Sequence, residues 1–123
     1  MIEVLPKSSA NVLGVEVGAR LTDGDYSDVW LPKLEELLER FHKVRLLLYM
    51  NDTFAGWEAK ALWDDMKFGL THIQNMGDLE KMAIVGGPAW VARLTSTLGH
   101  LVPGEFRSFS ENKLDEAWTW VAN

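Results

Sequence analysis

The chain has 123 residues, with 12 Lys plus Arg against 18 Asp plus Glu, a formal net charge of −6. That length suits a single domain spanning 1–123, and the acidic balance argues against nucleic acid, whose phosphates are bound by Lys and Arg. At 47% apolar residues and no cysteine, the chain is neither disordered nor stapled, and it has no thiolate metal site or Cys nucleophile.

The N-terminus, Met1-Ile2-Glu3-Val4-Leu5-Pro6, lacks the basic stretch and apolar run of a secretory signal. No apolar stretch reaches the roughly 18 residues of a spanning helix. The expected location is cytoplasmic, with peripheral membrane association as an alternative.

Asn11 to Arg20 reads as a strand. Leu13, Val15, Val17 and Ala19 alternate with Gly14, Glu16 and Gly18, the period of a half-buried strand. Ile2 to Leu5 is its expected partner, with Pro6 to Ser9 as the hairpin turn. Asp23-Gly24-Asp25 is a turn. Asp28 is a fair N-cap, and Pro32 falls in the first turn of the helix that follows. Trp30, Leu34, Leu37, Leu38 and Phe41 form its apolar stripe.

Lys43 to Met50 is a strand with apolar residues on both faces, as in a parallel sheet covered on both sides. Asn51-Asp52-Thr53 is a loop ending in an N-cap. A long helix follows, roughly Phe54 to Met76. Asp78-Leu79 reads as a turn and Lys81 to Val85 as a buried strand. Gly86-Gly87-Pro88 is a strand-to-helix turn opening a helix to about His100. Glu105 to Phe109 is a last short strand. Leu114 to Val121 is a terminal helix, with Leu114, Ala117, Trp118 and Val121 on one side.

The order is ββαβαβαβα. It predicts an α/β fold: one mostly parallel sheet of about five strands with helices packed on it and right-handed crossovers.

On the long helix, Ala59, Leu62, Trp63, Met66, Leu70 and Ile73 make the core stripe. Trp57, Ala61 and Phe68 fall on the opposite side with Asp64, Asp65 and His72, and Trp90 sits at the edge of the next helix. Either a neighbouring helix or loop covers these aromatics, or they face a ligand, a membrane or a second subunit. Aromatic rings at such an edge suit a boundary between apolar and wet surroundings.

No phosphate-binding glycine motif is present. His42, His72 and His100 are scattered without metal spacing, so neither metal nor cofactor is expected. Ser96 and Ser108 have no visible base. No catalytic residue is assigned, and the chain reads as a non-enzyme.

Several runs resemble the SpoIIAA-like family, a group with the STAS-like fold. They are Leu21-Thr22 with Asp25-Tyr26, Lys43-Val44-Arg45-Leu46-Leu47, Asp65-Met66-Lys67-Phe68-Gly69-Leu70-Thr71-His72, and Ala83-Ile84-Val85-Gly86 with Trp90. The ending Leu114-Asp115-Glu116-Ala117-Trp118-Thr119-Trp120 completes them. The resemblance implies a single α/β domain. It also implies likeness to two functional groups, the phosphorylated anti-sigma-factor antagonists and the CRAL-TRIO lipid-binding proteins.

The antagonists carry an Asp-Ser phosphorylation motif after the central strand. Here that stretch is Asn51-Asp52-Thr53-Phe54-Ala55-Gly56, so Thr53 is the only hydroxyl for such a switch, and an N-cap role accounts for it. Two functions follow as expectations. The first is binding of an apolar small molecule or lipid between the long helix and the Pro88–His100 helix, lined by Trp57, Ala61, Phe68, Trp90 and Leu94. A membrane surface is a further partner on this reading. The alternative is a STAS-type regulatory module that contacts a second copy or a partner protein.

Overall fold

Five strands form one sheet in the order β1-β2-β3-β4-β5. They are β1 (Ile2–Val4), β2 (Val12–Val17), β3 (Lys43–Met50), β4 (Asp78–Gly86) and β5 (Glu105–Phe109). The structure is a computed structural model that describes residues 2–18, 31–53, 78–87, 89, 92–93, 96–97 and 104–123. Two named helices accompany the sheet: α1 (Leu31–Phe41) and α2 (Leu114–Ala122), the latter preceded by a 3-10 turn at Glu111–Lys113. Ala89, Ala92, Arg93, Ser96 and Thr97 are also helical.

β1 and β2 form the expected opening hairpin, antiparallel with Ile2 opposite Val17 and Val4 opposite Val15. Ser8 closes it. Its hydroxyl accepts from the Gly14 N–H at 2.9 Å and donates to the Gly14 carbonyl at 3.1 Å. Every further neighbouring pair, β2 to β5, is parallel. The mostly parallel α/β sheet read from the sequence is therefore the fold.

Register sorts the side chains into two faces. One carries Leu13, Val15 and Val17 of β2 beside Leu46, Leu48 and Met50 of β3, then Met82 and Ile84 of β4. All are buried. α1 lies against β3 and buries Leu34, Leu37 and Leu38. His42, at φ 62°, ends α1 in the left-handed region, and its N–H donates to the Leu38 carbonyl at 2.9 Å. That is the geometry of a helix stop one residue past the last turn.

The other face belongs to α2. Ala117, Trp118 and Val121 pack on Leu47, Ala83 and Val85, with Leu5, Val12, Tyr49, Phe109, Leu114 and Trp120 around them. This changes the reading of β2 as half-buried. Its second face does not meet water at Gly14, because Trp118 lies directly on it. A Cβ built on Gly14 would come within 2.3 Å of the Trp118 ring. A glycine in a strand here marks a close approach.

β4 also starts earlier than its apolar run suggests. Asp78 and Leu79 are not a turn but pair with Lys43 and Val44. The register then slips between Val44 and Arg45, leaving Glu80 as the extra residue. A bulge breaks the period of 2 that a sequence reading depends on.

Candidate functional site

The carboxyl ends of parallel strands are where open α/β sheets bind ligands, because the loops there are aimed away from the packed core. In this chain the ends of β2 to β5 bring together Glu16, Gly18, Tyr49, Asn51, Asp52, Thr53, Gly86 and Glu111. The register places Glu16, Tyr49, Val85 and Phe109 in one row across the α2 face, just below this rim.

A hydrogen-bonded chain fixes the turn after β3. The Asn51 side-chain amide donates to the Glu16 carboxylate at 2.9 Å. The Asn51 side-chain carbonyl accepts from the Thr53 N–H at 3.0 Å and from the Thr53 hydroxyl at 2.6 Å. The Asn51 N–H donates to the Val17 carbonyl at 3.0 Å. An Asn bonding the backbone two residues on is an Asx turn. Asp52 and Thr53 are therefore exposed yet held in place. Gly18 lies tight beside them: a Cβ there would come within 2.7 Å of both the Asn51 and Thr53 side chains, which would have to shift.

Tyr49 stands behind this turn, half-buried. Its phenol is raised above the ordinary 10.0 by burial first, then by the charges of Glu111, Glu16 and Asp52. Low-dielectric surroundings disfavour the phenolate, and each nearby carboxylate adds to that. Tyr49 is a neutral phenol throughout the physiological range, in an acidic neighbourhood.

On the far side of the rim, Gly86 and Gly87 turn the chain with φ of 78° and 85°. A Cβ on Gly86 would stand 2.5 Å from the Met50 carbonyl, so glycine is required there. The turn opens a recess of about 310 Å³ lined by Gly87, Ala89, Ala92, Ser108, Ser110 and Glu111 among others. Its walls combine small and hydroxyl-bearing residues with the aromatic Phe109 and the acidic Glu111. Among the described residues, no group of three or more His, Asp or Glu is placed to hold a metal ion. None of the described helices is long and apolar enough to cross a membrane.

Of the site residues expected from sequence, Thr53 is on the rim. Trp57, Ala61, Phe68, Trp90 and Leu94 lie outside the described residues. Glu16, Tyr49, Asn51 and Glu111 were not singled out by the sequence reading. Their signal was positional: each stands at or just beyond the carboxyl end of a parallel strand.

The opposite end of the α2 face is cationic and occupied. Arg45 donates to the Val121 carbonyl at 3.0 Å, and Lys81 to the Trp120 carbonyl at 3.1 Å. Both cations sit at the helix C-terminus, where the backbone dipole is negative. Arg45 also pairs with Glu80 at 3.6 Å, and the Lys81 ammonium lies 5.0 Å from the Trp120 ring centroid. The Trp118-x-Trp120 ending thus serves to dock the terminal helix.

A model of the SpoIIAA-like family matches residues 12–122 of the chain, and the chain belongs to that family. It is also similar to the crystal structure of an uncharacterized protein of the DUF3478 family, with a SpoIIAA-like fold, from Shewanella loihica PV-4. The identity is 27% and the TM-score 0.65, covering 98% of this chain and 93% of that one. No curated protein matches the chain at a significant level.

Proposed function

We propose that the chain is a STAS-type regulatory interaction module whose contact surface is the rim around Asn51, Asp52 and Thr53. One observation carries this reading: the turn after the central strand is exposed but hydrogen-bonded to Glu16 and against Gly18. A surface already ordered in the free protein gives up little entropy on binding. The turn also occupies the position where the resembling antagonists carry their regulatory motif. It acts by contact and not by phosphoryl transfer. A phosphate on Thr53 would add about −1.5 to −2 charge, close to Asp52 and to the carboxylate that Asn51 bridges. Like-charge repulsion opposes that modification.

The second reading is an apolar ligand or lipid between the long helix and the helix after β4, as CRAL-TRIO likeness suggests. It rests on the sequence pattern of Trp57, Phe68 and Trp90, with peripheral membrane contact as its corollary. Neither reading involves catalysis.

The test immobilises the full chain and an Asp52→Arg variant, exposes both to a lysate of the source cell, and identifies retained proteins by mass spectrometry. A specific protein retained by the wild type and reduced about tenfold or more by Asp52→Arg, with an unchanged melting temperature, supports the contact surface. Equal retention by both overturns the rim. Native mass spectrometry of the purified chain provides the other arm. A near-stoichiometric lipid or fatty acid overturns the interaction reading in favour of the apolar ligand.

A further inference from the structure

The sheet has two outer strands, β1 and β5, and they differ in kind. An edge strand offers unpaired N–H and C=O groups that can pair with another chain. β1 is 3 residues long with Glu3 at its centre, so pairing with a second copy about that centre would set two carboxylates face to face. Like charges directly opposite destabilise a strand pair.

β5 is Glu105-Phe106-Arg107-Ser108-Phe109. Glu105, Arg107 and Ser108 are exposed and Phe106 is half-buried. An antiparallel pair of two such strands, centred on Phe106, places Glu105 of each opposite Arg107 of the other. Residues opposite each other share a face. Both charge pairs therefore fall on the α2 side, and the two Phe106 rings meet on the other side. Ser108 comes opposite Gly104, whose missing side chain leaves the backbone accessible. A sequence with an acid and a base two residues apart around a central aromatic is complementary to its own antiparallel copy.

The neighbouring strand reinforces the arrangement. Lys81 stands beside Glu105 at 3.9 Å, with the Glu105 side chain 68% exposed. Pairing would put Glu105 between Lys81 of its own chain and Arg107 of the other. Arg107 in turn lies 4.9 Å over the Phe109 ring, which restrains the guanidinium close to the edge and reduces the rotamer freedom lost on pairing.

We propose that β5 is a self-complementary edge through which two copies of this chain join antiparallel about Phe106, extending the sheet across a two-fold axis. The contact is independent of the rim around Asn51. A two-fold pairing uses the same patch on both copies and closes on itself. A short edge buries less than the roughly 1,200 Å² of a standard stable interface. The dimer is therefore weak, with a dissociation constant in the micromolar range or above, and sensitive to salt.

Sedimentation velocity over micromolar to millimolar concentrations tests it, on the full chain at low salt. The wild type is expected to interconvert between monomer and dimer. Arg107→Glu puts carboxylates opposite each other at both symmetric positions and should weaken the dimer about tenfold or more. The double variant Glu105→Arg plus Arg107→Glu should restore it. An equimolar mixture of the single variants Glu105→Arg and Arg107→Glu should pair where each alone does not. Thermal melting of every variant separates loss of the contact from loss of the fold. A monomer at all concentrations overturns the proposal. So does a dimer indifferent to these substitutions, which would place the seam elsewhere. A ladder growing with concentration also overturns it, since that means β5 joins β1 head to tail.

Discussion

The two ends of the α2 face solve the placing of charge in opposite ways. At the amino ends of the strands, Arg45 and Lys81 are largely buried, with side chains 20% and 17% exposed. They are satisfied by the last carbonyls of α2. At the carboxyl ends, the charge is acidic and the acidic groups crowd a half-buried phenol. The first end spends its charges on holding a helix. The second keeps them at a rim where Asp52 and Glu111 are exposed. The contrast separates an end that docks a helix from an exposed acidic rim, and both are built on the same sheet.

Three experiments sharpen that contrast, from largest effect to smallest. The strongest tests whether α2 is docked by shape. Trp118→Ala removes a ring that is 9% exposed and seated on Gly14, and should cost about 3 to 5 kcal/mol. Gly14→Val drives a branched side chain into the same contact and should cost about 1 to 3 kcal/mol. Urea denaturation measures both. A loss below about 1 kcal/mol in both variants would mean that α2 is held by something other than this contact.

Next is the cationic end. Arg45→Met keeps much of the stem and removes the charge-assisted bond to Val121, a loss of about 1 to 2 kcal/mol after discounting partial exposure. Lys81→Met should cost about 1 kcal/mol, since it loses the bond to Trp120 and the ring contact. The same denaturation series shows whether they weaken α2. Proteolytic release of the C-terminal segment should rise in both variants.

The smallest effect is at the acidic rim and appears only in alkali. Tyr49 holds its proton more tightly when folded than when unfolded. Its contribution to stability is thus fully present below the unfolded value of 10.0 and is lost as pH rises through the higher folded value. Tyr49→Phe should flatten the fall in melting temperature above pH 10. Glu111→Gln should shift the phenol back only part of the way, since burial is the larger cause. Ultraviolet titration of the phenol reads both.

Much of this architecture was visible in the residues. Alternation in Leu13, Val15 and Val17, and the two-faced apolar run of Val44 to Met50, located a hairpin strand and a central parallel strand. Pro32, and Gly86-Gly87 before Pro88, marked helix starts. Local chemistry sufficed at these places because the signal is local: a side-chain period and a backbone preference. It failed at Asp78-Leu79, where the bulge at Glu80 cancels the period, and at Gly14, where the reason for a glycine is a tryptophan more than a hundred positions away in the chain.

The same division holds for the candidate site. The sequence by itself determined the order of the elements, the hydroxyl at Thr53, the small residues at Gly86-Gly87 and the fold class those elements imply. Tertiary structure alone decided that Glu16, Asn51 and Glu111 share a rim with Tyr49. It alone decided that Arg45 and Lys81 cap the last turn of α2, and that the two outer strands differ in their fitness for a second copy. The physical reason is register. Which residue of one strand lies opposite which residue of the next is set by packing across the whole sheet, and a one-residue slip would exchange the two faces.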